Sequence, residues 1–134
     1  MRQILQDMRQ GETYIREAPA PTASSGTVRI ATAVSLISAG PERMLVGFGK
    51  ASLLDKALQQ PERVKMVLAK VRTDGLMATV DAVQSKLAQP LPLGYCNVGV
   101  VDQVGEGVDR FQVGERVVSN GPHADVVRVS ANLC

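Results

Sequence analysis

Hydrophobic and polar positions alternate over short distances in the first third of the chain. Residues 3–6, 13–17 and 27–37 form apolar runs that are increasingly rich in Val, Ile and Thr, and polar or proline-rich turns separate them. Runs of this kind are typical of half-buried strands. The first 37 residues therefore predict strands that begin a small barrel or sandwich.

The middle of the chain changes to the period of an α-helix. Two apolar sets recur at the spacing of one helix face: Val64, Val67, Leu68 and Val71, then Leu76, Val80, Val83 and Leu87. Pro61 suits the first position of a helix, Gly75 separates the two sets, and Pro90 follows the second. A shorter apolar segment between Ser52 and Gln60 predicts another helix. We expect these apolar stripes to be covered by the barrel, by each other or by a partner chain.

The last part of the chain returns to strands and turns. Apolar residues are concentrated in 98–104, and Gly105-Glu106-Gly107 then predicts a turn. A second strand is expected to contain Phe111 and Val113, and residues 116–119 and 125–129 complete the β pattern. Strands at both ends of the chain thus enclose a helical insertion at about residues 42–89.

The composition is that of an ordinary globular domain. With 134 residues, 45% apolar residues, 21% charged residues and a net charge of +2, the chain has the size of one domain and no strong preference for nucleic acid or anionic lipid. Only four residues are aromatic, which argues against a base-stacking surface. Residues 1–11 lack the apolar run of a signal peptide, and no segment has membrane-spanning length. We therefore expect a cytoplasmic protein without a membrane partner.

Cysteine and histidine are too sparse for a conventional metal site. Cys96 and Cys134 lie far apart and form no closely spaced pair, so reduced thiols are expected and a disulfide stays open. His123 is the only histidine, which excludes a multi-histidine site within one chain. We expect His123 at the surface or at the edge of a cleft, where a role in substrate binding stays open.

One glycine-rich segment has a recognisable spacing. The residues from Gly94 to Val108 follow the pattern G-Y-C-x2-G-x5-G-x2-V, and F-x-V-G-E-R-V follows from Phe111. This pattern resembles the GroES-like half of the medium-chain alcohol dehydrogenase family. The resemblance implies an α+β fold, a GroES-like partly open β-barrel with the helical insertion described above. It also implies that residues 1–134 form a single domain of this type.

Four further segments narrow the resemblance. They are Ser38–Leu45, Gly49–Lys56, Leu91–Gly99 and Asn120–Ala124. Together they are similar to a branch of bi-domain oxidoreductases in which an alcohol-dehydrogenase-like half precedes a sugar-oxidoreductase-like half. Pro41 departs from the pattern, because the branch has threonine at that position.

The resemblance also implies where a site would lie. In zinc-dependent members the segment begins G-H-E and its histidine binds zinc. In this chain Tyr95 stands at the position of the histidine and Cys96 at that of the glutamate. Ser38 stands at the position of a zinc-ligand cysteine. Serine is a poor zinc ligand, so we expect no metal. Ser38 and Tyr95 are the candidate catalytic donors, with Cys96 and His123 in the substrate cleft. Alternatively, Tyr95 only fills space, with a packed ring and a hydroxyl bonded to backbone.

The strand–helix alternation of a nucleotide-binding domain does not occur in this sequence. We therefore expect this chain to bind no cofactor and to be inactive alone, with NAD or NADP held by a nucleotide-binding domain of a full-length, zinc-independent oxidoreductase. The resemblance implies a sugar or another polar alcohol or carbonyl compound as substrate. A non-catalytic GroES-like assembly module is the alternative, and a homo-oligomer stays open.

Overall fold

The computed structural model describes the backbone of residues 1–134 and every side chain except that of Leu53. Seven strands are present: β1 (Arg2–Gln6), β2 (Thr13–Glu17), β3 (Thr27–Ser35), β4 (Leu91–Pro92), β5 (Asn97–Val104), β6 (Arg116–Ser119) and β7 (Val126–Ser130). Four helices lie between β3 and β4: α1 (Pro41–Lys50), α2 (Leu53–Gln59), α3 (Pro61–Asp74) and α4 (Leu76–Leu87). A short 3₁₀ helix covers Ala131–Leu133. The helical insertion predicted at about residues 42–89 is confirmed.

The larger sheet has four strands in the order β6-β5-β3-β7, and every neighbouring pair is antiparallel. Its inward side chains form the core, which comprises Val28, Ile30, Val101, Val117, Val127 and Val129. These residues occupy alternate positions along their strands, so one face of the sheet is buried. The smaller sheet has the order β2-β1-β4. The strands form two sheets rather than one closed barrel, in agreement with a partly open GroES-like fold.

The chain forms two compact units. The first comprises residues 1–5, 14–42 and 92–134 and contains most of the strands. The second comprises residues 6–13 and 43–91 and contains most of the helical insertion. The candidate cleft described below lies entirely within the first unit.

Local chemistry explains where the helices begin and end. The Ser52 hydroxyl accepts a hydrogen bond from the Asp55 N–H at 3.1 Å and caps α2. Pro61 is the first residue of α3, and Gly75 ends that helix with a φ of 87°. Pro41, the departure from the expected threonine, is the first residue of α1, a position that also favours proline. None of the helices that the structure describes is long and apolar enough to cross a membrane.

The apolar stripes of α3 and α4 are only partly covered. No side chain of α3 is buried, and Thr79 is the buried residue of α4. Leu68 is 60% exposed and Leu76 is 62% exposed. The two helices contact each other, so the expected mutual covering is met in part; the covering of the exposed Leu68, Leu76 and Val80 by a partner chain stays a prediction.

The strand predicted around Phe111 and Val113 is also wrong. These residues lie in the connection before β6, and β6 pairs with β5 only from Arg116 onward. Gly114 has a φ of 97°, which interrupts an extended backbone at this point. Phe111 still packs against the core of the larger sheet, which accounts for its apolar character.

Candidate active-site cleft

A cleft of about 300 Å³ opens in the first unit along strand β3. Its walls come from the N-terminal strand, from β2, from β3 and from the segment before β7. The lining residues are Arg2, Gln3, Ile4, Ile15, Thr32, Ala33, Val34, Ser35, His123, Ala124 and Asp125. A concave site of this size with a few polar groups is suited to a small ligand.

An irregularity in β3 brings two hydroxyl groups to this cleft. The pairing of β3 with β5 shifts register between Thr32 and Val34, after which Ser35 is opposite Asn97. In a regular strand, residues three positions apart point to opposite faces. A β-bulge changes that alternation. Thr32 and Ser35 therefore both line the cleft.

His123 is held between a hydroxyl and a carboxylate. Its Nδ1 atom lies 2.8 Å from Ser35 Oγ, and its Nε2 atom lies 2.9 Å from Glu42 Oε2. The His123 side chain is 5% exposed and that of Glu42 is 8% exposed. Of the two positions expected for His123, the surface does not apply, and the buried side chain lies at the edge of the cleft. Ser35, His123 and Glu42 form a continuous chain of side-chain hydrogen bonds, which we name the Ser35 relay.

The backbone around His123 is fixed on both sides. Its N–H donates to the Leu93 carbonyl at 2.8 Å, and its carbonyl accepts from the Ile4 N–H at 2.9 Å. Gly94 passes so close that a Cβ built there would lie 2.7 Å from both His123 N and His123 Cγ. Gly94 also has a φ of 93°, which side chains with a Cβ rarely adopt. The glycine is therefore needed to seat the imidazole.

Glu42 remains ionised in this buried position. Burial raises the pKa of its carboxyl, whereas hydrogen bonds from the Ser38 N–H and from His123 lower it, and the net pKa lies below the ordinary value. The Ser38 N–H lies 2.9 Å from Glu42 Oε1. Glu42 also occupies the first turn of α1, where the helix dipole favours a negative charge.

The ionised carboxylate determines which imidazole nitrogen carries the proton. A carboxylate only accepts hydrogen bonds, so Nε2 must carry its proton to donate to Glu42. In the neutral ring Nδ1 is then the acceptor and Ser35 Oγ–H is the donor. The tautomer follows from the partners of the two nitrogens. In this state the Ser35 relay is arranged to take a proton from the cleft, and Glu42 stabilises the imidazolium that results.

A second buried side chain supports the cleft wall. Asn97 is fully buried, and its Nδ2 donates to Thr32 Oγ1 at 2.9 Å. Because the Thr32 oxygen accepts this bond, its own hydroxyl proton is free to be donated elsewhere. Asn97 Oδ1 is a buried oxygen for which no hydrogen-bond donor is found among the described residues. The wall beside Ser35 thus presents a second hydroxyl donor.

Charged side chains border the cleft at its rim. Arg2 Nε lies 3.1 Å from Asp125 Oδ2, and the Arg2 backbone N–H donates to the same carboxylate. The hydrogen bond from Arg2 lowers the pKa of the Asp125 carboxyl. Both side chains are substantially exposed, so the pair adds little stability. Its consequence is a polar entrance, which suits a polar ligand.

The residues that the sequence singled out are arranged differently from expectation. The backbone N–H of Ser38 donates to Glu42. The Ser38 hydroxyl makes no hydrogen bond among the described residues. Tyr95 is 49% exposed, so its ring does not fill a packed volume as the alternative required. Cys96 is half-buried, and its carbonyl accepts from the Leu36 N–H at 3.0 Å. Only His123 of these four residues lines the cleft.

Zinc does not fit this set of side chains. Within the part of the chain that the structure describes, no three His, Cys, Asp or Glu side chains are grouped closely enough to hold a metal ion. Ser38 and Tyr95 supply hydroxyl oxygens in place of the thiolate and imidazole that zinc prefers. No chemical step is therefore assigned to a metal here.

The profile of the alcohol dehydrogenase GroES-like domain family matches residues 63–133, which is more than half of the chain. The chain belongs to the alcohol dehydrogenase GroES-like domain family. This match agrees with the fold predicted from the glycine spacing of residues 94–108. A comparison with curated proteins finds no match.

Three solved structures share the fold of this alcohol dehydrogenase GroES-like domain. The mycobacterial protein Rv1454c in complex with NADPH is 20% identical, with a TM-score of 0.59 over 99% of this chain and 32% of its own. An alcohol dehydrogenase superfamily protein from Novosphingobium aromaticivorans is 21% identical and has a TM-score of 0.60. The match covers 99% of this chain and 33% of that protein. The Escherichia coli quinone oxidoreductase complexed with NADPH is 14% identical and has a TM-score of 0.60. The match covers 99% of this chain and 32% of that protein. The chain thus spans about a third of the length of these proteins.

The pH dependence of stability tests the buried carboxylate. Because the pKa of Glu42 is lowered in the folded protein, its contribution is present above the ordinary glutamate pKa of about 4.3 and is lost as the pH falls through the folded value. Thermal unfolding should show this loss at acidic pH. Asp7 and Asp125 also have lowered pKa values and add to it. Glu42→Gln should remain folded, and its melting temperature should fall less on acidification than that of the wild type. If the melting temperatures of the two proteins fell equally with pH, Glu42 would not be ionised in the folded protein.

Proposed function

We propose that this chain is the substrate-side domain of an NAD(P)-linked oxidoreductase that works without zinc, with the Ser35 relay as its proton acceptor and donor. The observation that carries the proposal is the continuous path from Ser35 in the cleft through His123 to the ionised Glu42. Family membership and the NADPH complexes of structurally similar proteins support the oxidoreductase class.

The relay supplies the proton transfer that accompanies hydride transfer. When an alcohol is oxidised, its carbon loses a hydride and its oxygen loses a proton. The substrate hydroxyl would donate to Ser35 Oγ, Ser35 would pass its own proton to His123 Nδ1, and Glu42 would stabilise the charged ring. Carbonyl reduction is the reverse transfer. The bound nicotinamide nucleotide would exchange the hydride, and this chain would orient the reacting oxygen.

The substrate proposed from the cleft wall is a polar alcohol or carbonyl compound, including a sugar. Ser35 Oγ can engage the reacting oxygen, the free Thr32 hydroxyl can donate to a second oxygen, and the Arg2–Asp125 pair borders the entrance. A purely apolar substrate would leave the Thr32 hydroxyl proton unpaired, at a cost of up to about 1–3 kcal/mol. Ser38 and Tyr95 remain proposed donors outside this path.

We also propose that the nucleotide-binding domain belongs to the rest of a longer protein. The structurally similar proteins are about three times as long as this chain. The 134-residue chain should therefore show no saturable binding of NADH or NADPH below about 1 mM, which corresponds to about 4 kcal/mol. Isothermal titration of both nucleotides measures this directly. Micromolar binding to this chain would overturn the assignment of the nucleotide to another domain.

A further inference from the structure

A second cavity, of about 360 Å³, lies within the helical unit and takes no part in the proposed proton transfer. Its apolar walls come mainly from helices α1, α3 and α4, and Ala57 of α2 adds to them. They comprise Phe48, Val64, Val67, Leu68, Val83 and Leu87. A volume of this order is suited to a small molecule with an apolar portion.

A buried cation borders this apolar cavity. The Lys56 side chain lines it, and Lys56 is only 8% exposed. Its Nζ donates to the Met8 carbonyl at 2.7 Å and to the Gly49 carbonyl at 2.9 Å. The Phe48 ring centroid lies 5.9 Å from the same nitrogen. Two of its three N–H groups are therefore satisfied by neutral oxygens.

No carboxylate forms an ion pair with this cation among the described residues, although the charge of Asp7 is near enough to interact with it. The ion pairs among the described residues join other groups, and none includes Lys56. The remaining polar residues among the described lining of the cavity are Gln60 and Arg63, neither of which is acidic. Burial of an unpaired ammonium is costly, and an anion brought beside it would reduce that cost. The charge of the cavity therefore favours an anionic group, and its walls favour an apolar chain.

We propose that the helical unit binds a carboxylate with an unbranched apolar chain, of the fatty-acid class. The carboxylate would accept from the third N–H of Lys56, with Arg63 as a second cation, and the chain would lie along Val67, Leu68 and Val83. A second copy of this chain fits less well, because it would present the same cations to the same cavity.

The test is titration of the 134-residue chain with decanoate, followed by calorimetry and by amide shifts of α2, α3 and α4. We expect saturable binding below about 1 mM, with decylammonium of the same chain length binding about tenfold or more weakly. Equal or tighter binding of decylammonium would overturn the proposal. So would the absence of saturation, or shifts that appear only with lipid vesicles or with increasing protein concentration.

Two pairs of variants assign the carboxylate to the cavity. Lys56→Met should weaken decanoate binding about tenfold, whereas Lys65→Met, at an exposed lysine paired with Glu62, should leave it unchanged. Lys56→Met also removes the hydrogen bonds to the Met8 and Gly49 carbonyls, which could alter the fold of the helical unit. The second pair of variants therefore keeps Lys56. Val83→Glu puts a negative charge into the cavity and should weaken decanoate while strengthening decylammonium. Val80→Glu, at an exposed position of α4 outside the cavity lining, should do neither. Unchanged decanoate binding in folded Val83→Glu would contradict the site.

Discussion

Ser35→Ala should lower the turnover number of the full-length oxidoreductase by about 100-fold or more. General acid–base catalysis typically contributes about 10²–10⁴-fold, and this substitution removes the hydroxyl that is proposed to exchange the proton with the substrate. His123 and Glu42 remain in place, so their mutual hydrogen bond survives. Because Ser35 acts on the proton in transfer, we expect the main change in kcat and a smaller change in KM.

The measurement is steady-state alcohol oxidation with saturating nucleotide, carried out across a pH series. Tyr95→Phe is the matched control, because it removes one hydroxyl from the other proposed donor, which lies outside the cleft lining. We expect the turnover number of that variant to stay within about tenfold of the wild-type value. Removal of a donor that stabilises an oxyanion would lower it more. Full activity of Ser35→Ala together with a collapse of Tyr95→Phe would transfer the role to the phenol.

Gly94→Ala should be the most destabilising single substitution around the cleft. The backbone at this position has a φ of 93°, and the new Cβ would meet His123 N and Cγ at 2.7 Å. The unfavourable φ costs about 1–2 kcal/mol. Crowding in a packed site adds about 1–3 kcal/mol. We therefore expect the free energy of unfolding to fall by about 2–5 kcal/mol, measured by urea denaturation of this chain.

Gly107→Ala is the control that separates these two costs. Gly107 also has a positive φ, of 75°, but no atom lies within 4 Å of a Cβ built there. The free energy of unfolding of Gly107→Ala should fall only by the cost of the unfavourable φ, about 1–2 kcal/mol. Equal losses in the two variants would mean that Gly94 does not crowd His123.

Local sequence signals were sufficient to predict most elements of the fold. Pro61 and Gly75 delimit α3, and Ser52 caps α2, because each acts through its own backbone or its nearest neighbours. The failure at Phe111 has the opposite cause. Its apolar character reflects packing on the sheet core from a connecting segment, which a local pattern does not distinguish from a strand.

The candidate site could be predicted only in part. His123 was recognisable as the single imidazole, but Glu42 is separated from it by 81 residues, and only the fold brings the two together. Ser35 was hidden for a different reason. It reaches the cleft through a register shift in β3 that no pattern of alternation predicts. Glu42 lies in the segment Ser38–Leu45 that carries the family resemblance, yet a glutamate in the first turn of a helix is ordinarily explained by the helix dipole.

The protonation state of His123 tests the central claim most directly. Because His123 is the only histidine, a long-range ¹H–¹⁵N correlation spectrum of the labelled 134-residue chain shows one imidazole and needs no assignment. At pH 8 we predict a single tautomer with the proton on Nε2 and with Nδ1 as a hydrogen-bond acceptor. Glu42→Gln should abolish that preference, since an amide can also donate to Nε2. A wild-type ring protonated on Nδ1, or one that averages between both tautomers, would contradict the Ser35 relay.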